Sequence, residues 1–206
     1  MSITNGYATL AEYKAFITMR GSSTSTDAAD DSVIEALIEG ASRYIDIETG
    51  QRFFADSTDK TRYYTPDDNY ALKVDPLSAS PTSVSIDRTG TRSYTALTED
   101  TDFELWPFNA ALDGKPYTEI RIISALSGYT FPLTTKGVKV VAKFGYPAIP
   151  KDVHNATLEI AQSANASRSG QPNAGKISVT AGGVVIRPEE VPAMAQRVIQ
   201  HYRPKT

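Results

Sequence analysis

Cysteine and histidine, two of the residue types that most often carry nucleophilic, proton-transfer and metal chemistry, are scarce in this chain. Cysteine is absent, which removes disulfides, thiolate metal sites and a cysteine nucleophile. The two histidines, His154 and His201, fall in different predicted helices, neither with a partner at metal-ligand spacing. The chain reads as lacking a His-Glu-x-x-His run, a Gly-x-Ser-x-Gly elbow and a phosphate-binding Gly-x-x-x-x-Gly-Lys. The expected catalytic, cofactor-binding and metal-binding sets are therefore empty, and the chain reads as a protein that is not an enzyme. His154, near the start of its helix, reads most simply as a surface residue.

Two acidic groups invite a cation. Asp67 and Asp68, with Asp75 beyond them, supply the carboxylates that calcium takes, but they lack the spaced ligands and closing glutamate of an EF-hand loop. A turn after Pro66 explains Pro66-Asp67-Asp68-Asn69 without a metal. Glu99, Asp100 and Asp102 read in the same way, as a solvated hairpin connection. Gly182-Gly183 lies between two β-like runs and precedes no helix, so it reads as a hairpin turn rather than a phosphate cradle. Tyr63, Tyr64, Tyr70, Tyr94, Phe103, Trp106 and Phe108 could stack on sugars or bases. No basic residues interleave with them in a stripe, which favours packing in a core or an interface.

Over the last twenty residues Arg187, Arg197, Arg203 and Lys205 outnumber Glu189 and Glu190. A basic, partly apolar ending suits docking to a partner and equally suits a helix packed on its own domain with a frayed end.

The elements that would position these residues follow from periodicity. Thr9-Leu10-Ala11-Glu12 has the form of a capping box and predicts a helix to about Met19, with Leu10, Tyr13, Phe16 and Ile17 on one face. Residues 20–29, rich in serine and threonine, predict a mobile loop. Val33, Ile34, Leu37, Ile38, Ala41, Tyr44 and Ile45 repeat at three and four, predicting a long helix capped by Asp30 or Asp31 and stopped by Gly50 in a left-handed conformation. After Phe53-Phe54 the period falls to two. Strands are predicted at 61–65, 70–74, 83–87, 93–97, 103–106, 119–123 and 138–144, forming an antiparallel sheet or small sandwich. Pro150 opens another helix, with Val153, Ala156, Thr157, Ile160, Ala161 and Ala164 on one face and an end near Ser169-Gly170. A short hairpin over 176–187 and a last helix from about Pro192 to Tyr202, closed by Arg203-Pro204, complete the chain.

The fold class is accordingly α+β: a helical framework of about four helices with an inserted antiparallel β-rich subdomain. The expected division is a helical core over 1–54 and 147–206 and a β-rich insertion over 55–146. At 206 residues the chain is long enough for such a core with a satellite. With 40% hydrophobic and 22% charged residues it lies outside the disordered class. A net charge of −3 lacks the broad basic footprint of a protein whose affinity comes from neutralising many phosphates. The first residues lack the pattern of a signal peptide, and no stretch approaches the roughly 20 apolar residues that span a bilayer, so neither export by a signal peptide nor membrane insertion is expected.

Three stretches together resemble a known family. They are Ala8 to Ile17; Asp31 to Ile38 continuing through Ala41 to Ile45 and Thr49-Gly50-Gln51-Arg52-Phe53; and Phe144-Gly145-Tyr146-Pro147 followed by Ile149 to Val153. In order and spacing these are similar to the head-tail connector, or adaptor, proteins of tailed bacteriophages, as is the ending from Val191-Pro192 to Pro204. The resemblance covers both ends of the chain and leaves the insertion largely unmatched. It implies a virion structural protein in the neck, assembled in the host cytoplasm as a ring of subunits, dodecameric in the family. Such a ring lies between the portal protein and a stopper or tail-completion protein, with DNA passing through the lumen without sequence-specific binding. It also implies a portal-docking role for the last helix, for which Met194, Val198, Tyr202 and Arg203 are the candidates, and it implies no cofactor. Two other readings are a β-rich module that binds carbohydrate, prompted by the aromatic insertion, and a neck stopper. The long helix over 31–49 favours an adaptor over a stopper.

Overall fold

The computed structural model describes residues 3–21, 28–123, 128–168, 178–180, 183–185 and 191–203. The chain divides into two compact units, Met1–Phe53 with Ile149–Thr206, and Phe54–Ala148.

The first unit is helical. Helix α1, Leu10–Met19, opens on the complete capping box. The Thr9 hydroxyl accepts from the Glu12 amide at 3.2 Å, and the Glu12 carboxylate accepts from the Thr9 amide at 2.8 Å. Helix α2, Ala28–Thr49, starts two residues before Asp30, so Asp30 and Asp31 lie in its first turn and do not cap it as expected from sequence. Two alanines, the strongest helix formers, carry the helix back past them. Asp31 pairs with Lys14 of α1 at 2.6 Å. Of the predicted loop, Arg20 and Gly21 follow α1, Ala28 and Ala29 belong to α2, and 22–27 lie outside the described residues.

The apolar stripe of α2 is buried as its spacing requires, with Ile34, Leu37, Ile38, Ala41 and Ile45 at 5% exposure or less. Gly50 ends the helix at φ 63°, a conformation that costs a residue with a Cβ about 1–2 kcal/mol. Helix α3, Lys151–Arg168, packs between α2 and α4, Ala193–Tyr202. All six residues predicted for its inner face, from Val153 to Ala164, are buried. Strands β8, Ser178–Thr180, and β9, Gly183–Val185, form the expected hairpin. Their partners are Ser178 with Val185 and Thr180 with Gly183.

The second unit holds two antiparallel sheets. The strands are β1 Lys60–Tyr64, β2 Ala71–Leu77, β3 Ser83–Ile86, β4 Thr95–Leu97, β5 Phe103–Trp106, β6 Tyr117–Ile122 and β7 Val138–Ala142. One sheet runs β1-β7-β3-β4 and the other β2-β6-β5. Inward residues of both, including Leu72, Val84, Phe103, Ile120 and Val140, meet in a single core with Phe131 and Phe144 from the connecting segments, which makes the unit a small sandwich. Helices and antiparallel sheets together make the chain an α+β protein.

Strand β2 runs three residues beyond the predicted 70–74, through Asp75-Pro76. It lies at the edge of its sheet, and its register with β6 shifts between Lys73 and Leu77. An edge position with a bulge is where a proline, lacking an amide hydrogen, is tolerated in a strand.

Candidate docking surface

Helix α4 starts after Pro192, which has no amide hydrogen to leave unsatisfied and offers no side-chain cap. The Gln196 side chain donates back to the Val191 carbonyl at 3.0 Å. Ala195 and Ile199 face inward and are buried, while Met194 on the opposite side is 61% exposed. Val198 is half-buried.

The end of α4 is fastened to its own unit. The Tyr202 ring meets Phe53 edge-on, with centroids 4.9 Å apart, and its hydroxyl donates to Asp152 at 3.2 Å. The Tyr202 carbonyl accepts from the Gln51 side chain at 2.5 Å. Arg203 donates from Nε to the Glu48 carbonyl at 2.8 Å, and its guanidinium also pairs with the Glu48 carboxylate. Tyr44, Glu48, Gln196, Ile199, Gln200 and Arg203 line a cavity of about 250 Å³ on this face. Burial raises the Tyr44 pKa, as does the neighbouring Glu48, against the effect of Arg203. Of the four candidate docking residues, Met194 thus projects freely, Val198 borders the core, and Tyr202 and Arg203 are engaged within the subunit.

A second cluster, which periodicity does not reveal, centres on Tyr7. This residue is 1% exposed. Its amide donates to the Ser42 hydroxyl at 3.0 Å, and its own hydroxyl donates to Asp46 and accepts from the Phe53 amide at 2.9 Å. Arg43 pairs with Asp46 at 3.0 Å, lies over the Tyr7 ring at 5.6 Å, and donates to the Asn5 carbonyl at 3.0 Å. Burial pushes the Asp46 carboxyl above its ordinary range, although the Tyr7 hydroxyl and Arg43 pull the other way. Burial and the bond to Asp46 push the Tyr7 phenol far up, so its proton stays in place. The signal that could have found this cluster is the pair Arg43 and Asp46, one helical turn apart, interrupting an otherwise apolar run.

His154 is not the simple surface residue expected. With Gly6, Thr9, Glu12, Ile149 and Lys151 it lines a cavity of about 550 Å³, and its Nε2 stands 3.4 Å from the Glu12 carboxylate. The Thr9 hydroxyl, above all, and His154 hold the Glu12 carboxyl below its usual range. His201 is exposed and stacks edge-on against Tyr202.

The acidic groups in the insertion do not converge. Asp68 accepts from the amides of Tyr70 and Ala71 at 2.7 and 2.9 Å, closing the turn expected there. Asp75 pairs with Arg62 at 2.6 Å and accepts from the Tyr64 hydroxyl at 2.7 Å. Burial works against the Asp75 charge, but those two partners outweigh it and hold the carboxyl low. Glu99 accepts from Ser80 at 3.0 Å, and Asp102 accepts from the Thr98 amide at 2.8 Å. Among the described residues no three His, Asp or Glu side chains gather in a way that could hold a metal ion. Residues 170–176 do have Gly-x-x-x-x-Gly-Lys spacing, but Ile177 stands where a phosphate loop needs Ser or Thr, and the segment lies outside the described residues. So do Ala181 and Gly182 of the predicted glycine turn.

The aromatic residues divide. Phe103 is buried and Tyr64 packs against the core, whereas Tyr63, Tyr70 and Phe108 are exposed. Tyr63 and Tyr94 lie together, centroids 5.9 Å apart, with Lys136 Nζ 5.8 Å from the first ring and Lys139 Nζ 5.3 Å from the second. Basic residues do therefore interleave with the aromatic ones, in space and not in sequence.

Among the described residues no helix is long and apolar enough to cross a membrane. No protein-family model matches the chain, and no curated protein does. A solved structure does: a chain in the neck of an empty GTA particle, a phage-like gene transfer agent, computed with C6 symmetry. The two superpose with a TM-score of 0.55 at 16% identity, over 100% of this chain and 94% of that one. The likeness is one of fold.

Proposed function

We propose that the chain is a structural protein of a phage-like particle and sits in its neck as a head-tail adaptor. The observation that carries this reading is the fold likeness to a neck chain over nearly the whole length of both molecules. A shared accessory domain would match over only part of the length. The resemblance of residues 8–17, 31–53 and 144–153 to the adaptor family supports the same assignment independently.

In this reading the subunits form a ring, and the sixfold symmetry of the related neck is compatible with six or twelve copies. Helix α4 faces the portal protein and presents Met194 and Val198, with Tyr202 and Arg203 at its end. A stopper or tail-completion protein binds the other side, and DNA passes through the lumen. The role is assembly and not catalysis, and it needs no cofactor. The portal-docking segment belongs to the helical unit, Met1–Phe53 with Ile149–Thr206, and the β-rich unit, Phe54–Ala148, is left for the tail side or the exterior. The 22-residue helix α2 supports an adaptor over a stopper.

The test is electron microscopy of the purified chain, alone and with its portal protein, together with mass spectrometry of intact particles. Rings that seat on the portal, and the chain's presence in particles, are the expected results. A protein that stays monomeric with portal and is absent from particles would overturn the proposal.

A further inference from the structure

An asparagine side chain can be attacked by the backbone nitrogen of the residue that follows it. Three things normally prevent this: a side chain on the following residue, a hydrogen bond made by its amide, and a helix or strand that fixes the backbone between the two groups. Of the six asparagines, at 5, 69, 109, 155, 165 and 173, only Asn5 precedes a glycine. Asn155 and Asn165 lie within α3. The amide after Asn69 donates to the Asp68 carboxylate at 2.7 Å, and the Asn69 side chain itself donates to the Phe131 carbonyl at 3.1 Å. The amide after Asn109 donates to the Pro107 carbonyl at 3.0 Å. Asn173 lies outside the described residues.

At Asn5-Gly6 all three protections are missing. Asn5 is exposed and turns the chain at φ 60°, outside any helix or strand, in a conformation that asparagine tolerates better than most residues. Among the described residues the Gly6 amide donates no hydrogen bond, and the Asn5 carboxamide makes none. The fold also keeps glycine in place, because a Cβ at position 6 would collide with the Ile3 side chain and stand 3.3 Å from the Ala8 carbonyl oxygen. The one group of the pair that is held is the Asn5 backbone carbonyl, which accepts from the Arg43 guanidinium at 3.0 Å. Turning the Asn5 Cα–C bond to bring the Gly6 nitrogen against the side chain therefore disturbs a single exposed hydrogen bond.

We propose that Asn5-Gly6 is a self-modification site, at which the Gly6 nitrogen attacks the Asn5 side chain and the pair passes through a succinimide to isoaspartate. The new bond joins the Gly6 nitrogen to Asn5 Cγ. The Gly6 amide gives up its proton to hydroxide, and the carboxamide nitrogen takes up a proton and leaves as ammonia. Water then opens the ring at one of its two carbonyls. One water is consumed and one ammonia released, with no change of oxidation state.

Arg43 is the positioning residue that decides which carbonyl opens. Water adding at the backbone carbonyl carbon places negative charge on the oxygen that Arg43 already holds. Opening there leaves the main chain running through the former side chain, one methylene longer, and turns the Asn5 carbonyl into a carboxylate facing the guanidinium. The fold thus favours isoaspartate over aspartate. Arg43, already paired with Asp46 at 3.0 Å, gains a second carboxylate, and the net charge of −3 becomes one unit more negative. None of this depends on the chain forming a neck ring.

The test is to incubate the freshly purified whole protein at neutral and at mildly alkaline pH, digest it, and follow each asparagine peptide by mass spectrometry. The peptide holding Asn5 should gain one mass unit, faster at the higher pH, and accept methyl groups from isoaspartyl methyltransferase. Over the same time the peptides of Asn69, Asn109, Asn155 and Asn165 should stay unchanged. Asn5→Gln, whose side chain would have to close a larger ring, should abolish the change. Arg43→Lys should keep the rate and lower the ratio of isoaspartate to aspartate toward that of the chain unfolded in urea, with circular dichroism checking that both variants are folded. The proposal is overturned by no mass gain at Asn5, by equal gain at the other asparagines, or by a native rate far below the rate in urea. A wild-type product ratio equal to that of the unfolded chain would overturn the part assigned to Arg43.

Discussion

Tyr7→Phe removes one oxygen from the centre of the helical unit and keeps the ring. That oxygen donates to Asp46 and accepts from the Phe53 amide. A hydrogen bond to a charged group is worth about 1.5–3 kcal/mol and a neutral one about 1 kcal/mol, so the expected loss at neutral pH is about 3 kcal/mol. The ring keeps its edge-on contact with Phe53, so little of the loss comes from packing. The sign of the pH dependence separates polar from apolar causes. Burial raises the folded pKa of Asp46, so the folded state holds a proton there that the unfolded state has already released. This carboxylate therefore costs stability as pH rises from its unfolded value through its folded one. The Tyr7 hydroxyl relieves part of that cost by donating to the charged form. The effect of Tyr7→Phe should thus be largest at neutral pH and fall toward about 1–2 kcal/mol in acid, where Asp46 is protonated and both bonds are neutral. Urea unfolding followed at 222 nm reads the helices directly. A loss under about 1 kcal/mol at neutral pH, or one that does not change with pH, would refute the reasoning.

Three further outcomes follow from single sites. Gly145→Ala should destabilise the β unit by about 3 kcal/mol or more, since Gly145 sits at φ 119° and an added Cβ would lie 2.0 Å from the Phe54 carbonyl oxygen; a shift of the Trp106 fluorescence transition by urea measures it. The Glu12 carboxyl is held low by Thr9, so its contribution is present above the ordinary value of 4.5 and is lost as pH falls through the lower folded value; Glu12→Gln should flatten that part of the stability profile in acid titration. Met194→Asp, at a side chain 61% exposed, should leave stability within about 0.5 kcal/mol while abolishing co-purification with the portal protein.

The parts of the fold legible in sequence are those fixed by local rules. The stripe of α2, the box at Thr9 and Glu12, the left-handed Gly50 and the alternation in β5 and β7 each depend on neighbours within a few residues. The start of α2 misled because aspartate is both a cap and a good first-turn residue, and only the backbone before it decides between the two. The extent of β2 misled because Pro76 is an obstacle in a central strand and none at a bulged edge. The Tyr7 cluster was hidden for another reason: its members are separated by 35 to 46 residues, and no period links them. The Tyr63–Lys139 pairing depends likewise on strand register, which brings positions 76 apart side by side.

The same geometry sets what docking through α4 would require. Arg203 is 52% exposed and Glu48 25%, and a pair so placed is worth about 0.2–1 kcal/mol. A portal carboxylate could replace Glu48 with little net cost, so Arg203 can serve both the free subunit and the complex. Tyr202 differs. Its ring lies against Phe53 and its carbonyl is held by Gln51, and withdrawing an aromatic ring from such a contact costs about 0.5–1.5 kcal/mol beyond the lost burial. Docking that leaves the subunit intact therefore reads Met194, the exposed side of Val198 and the guanidinium of Arg203, with Tyr202 as their anchor. Arg203→Ala should then weaken docking and cost folding only about 1 kcal/mol, for the exposed pair and the bond to the Glu48 carbonyl, whereas Tyr202→Ala should weaken both more.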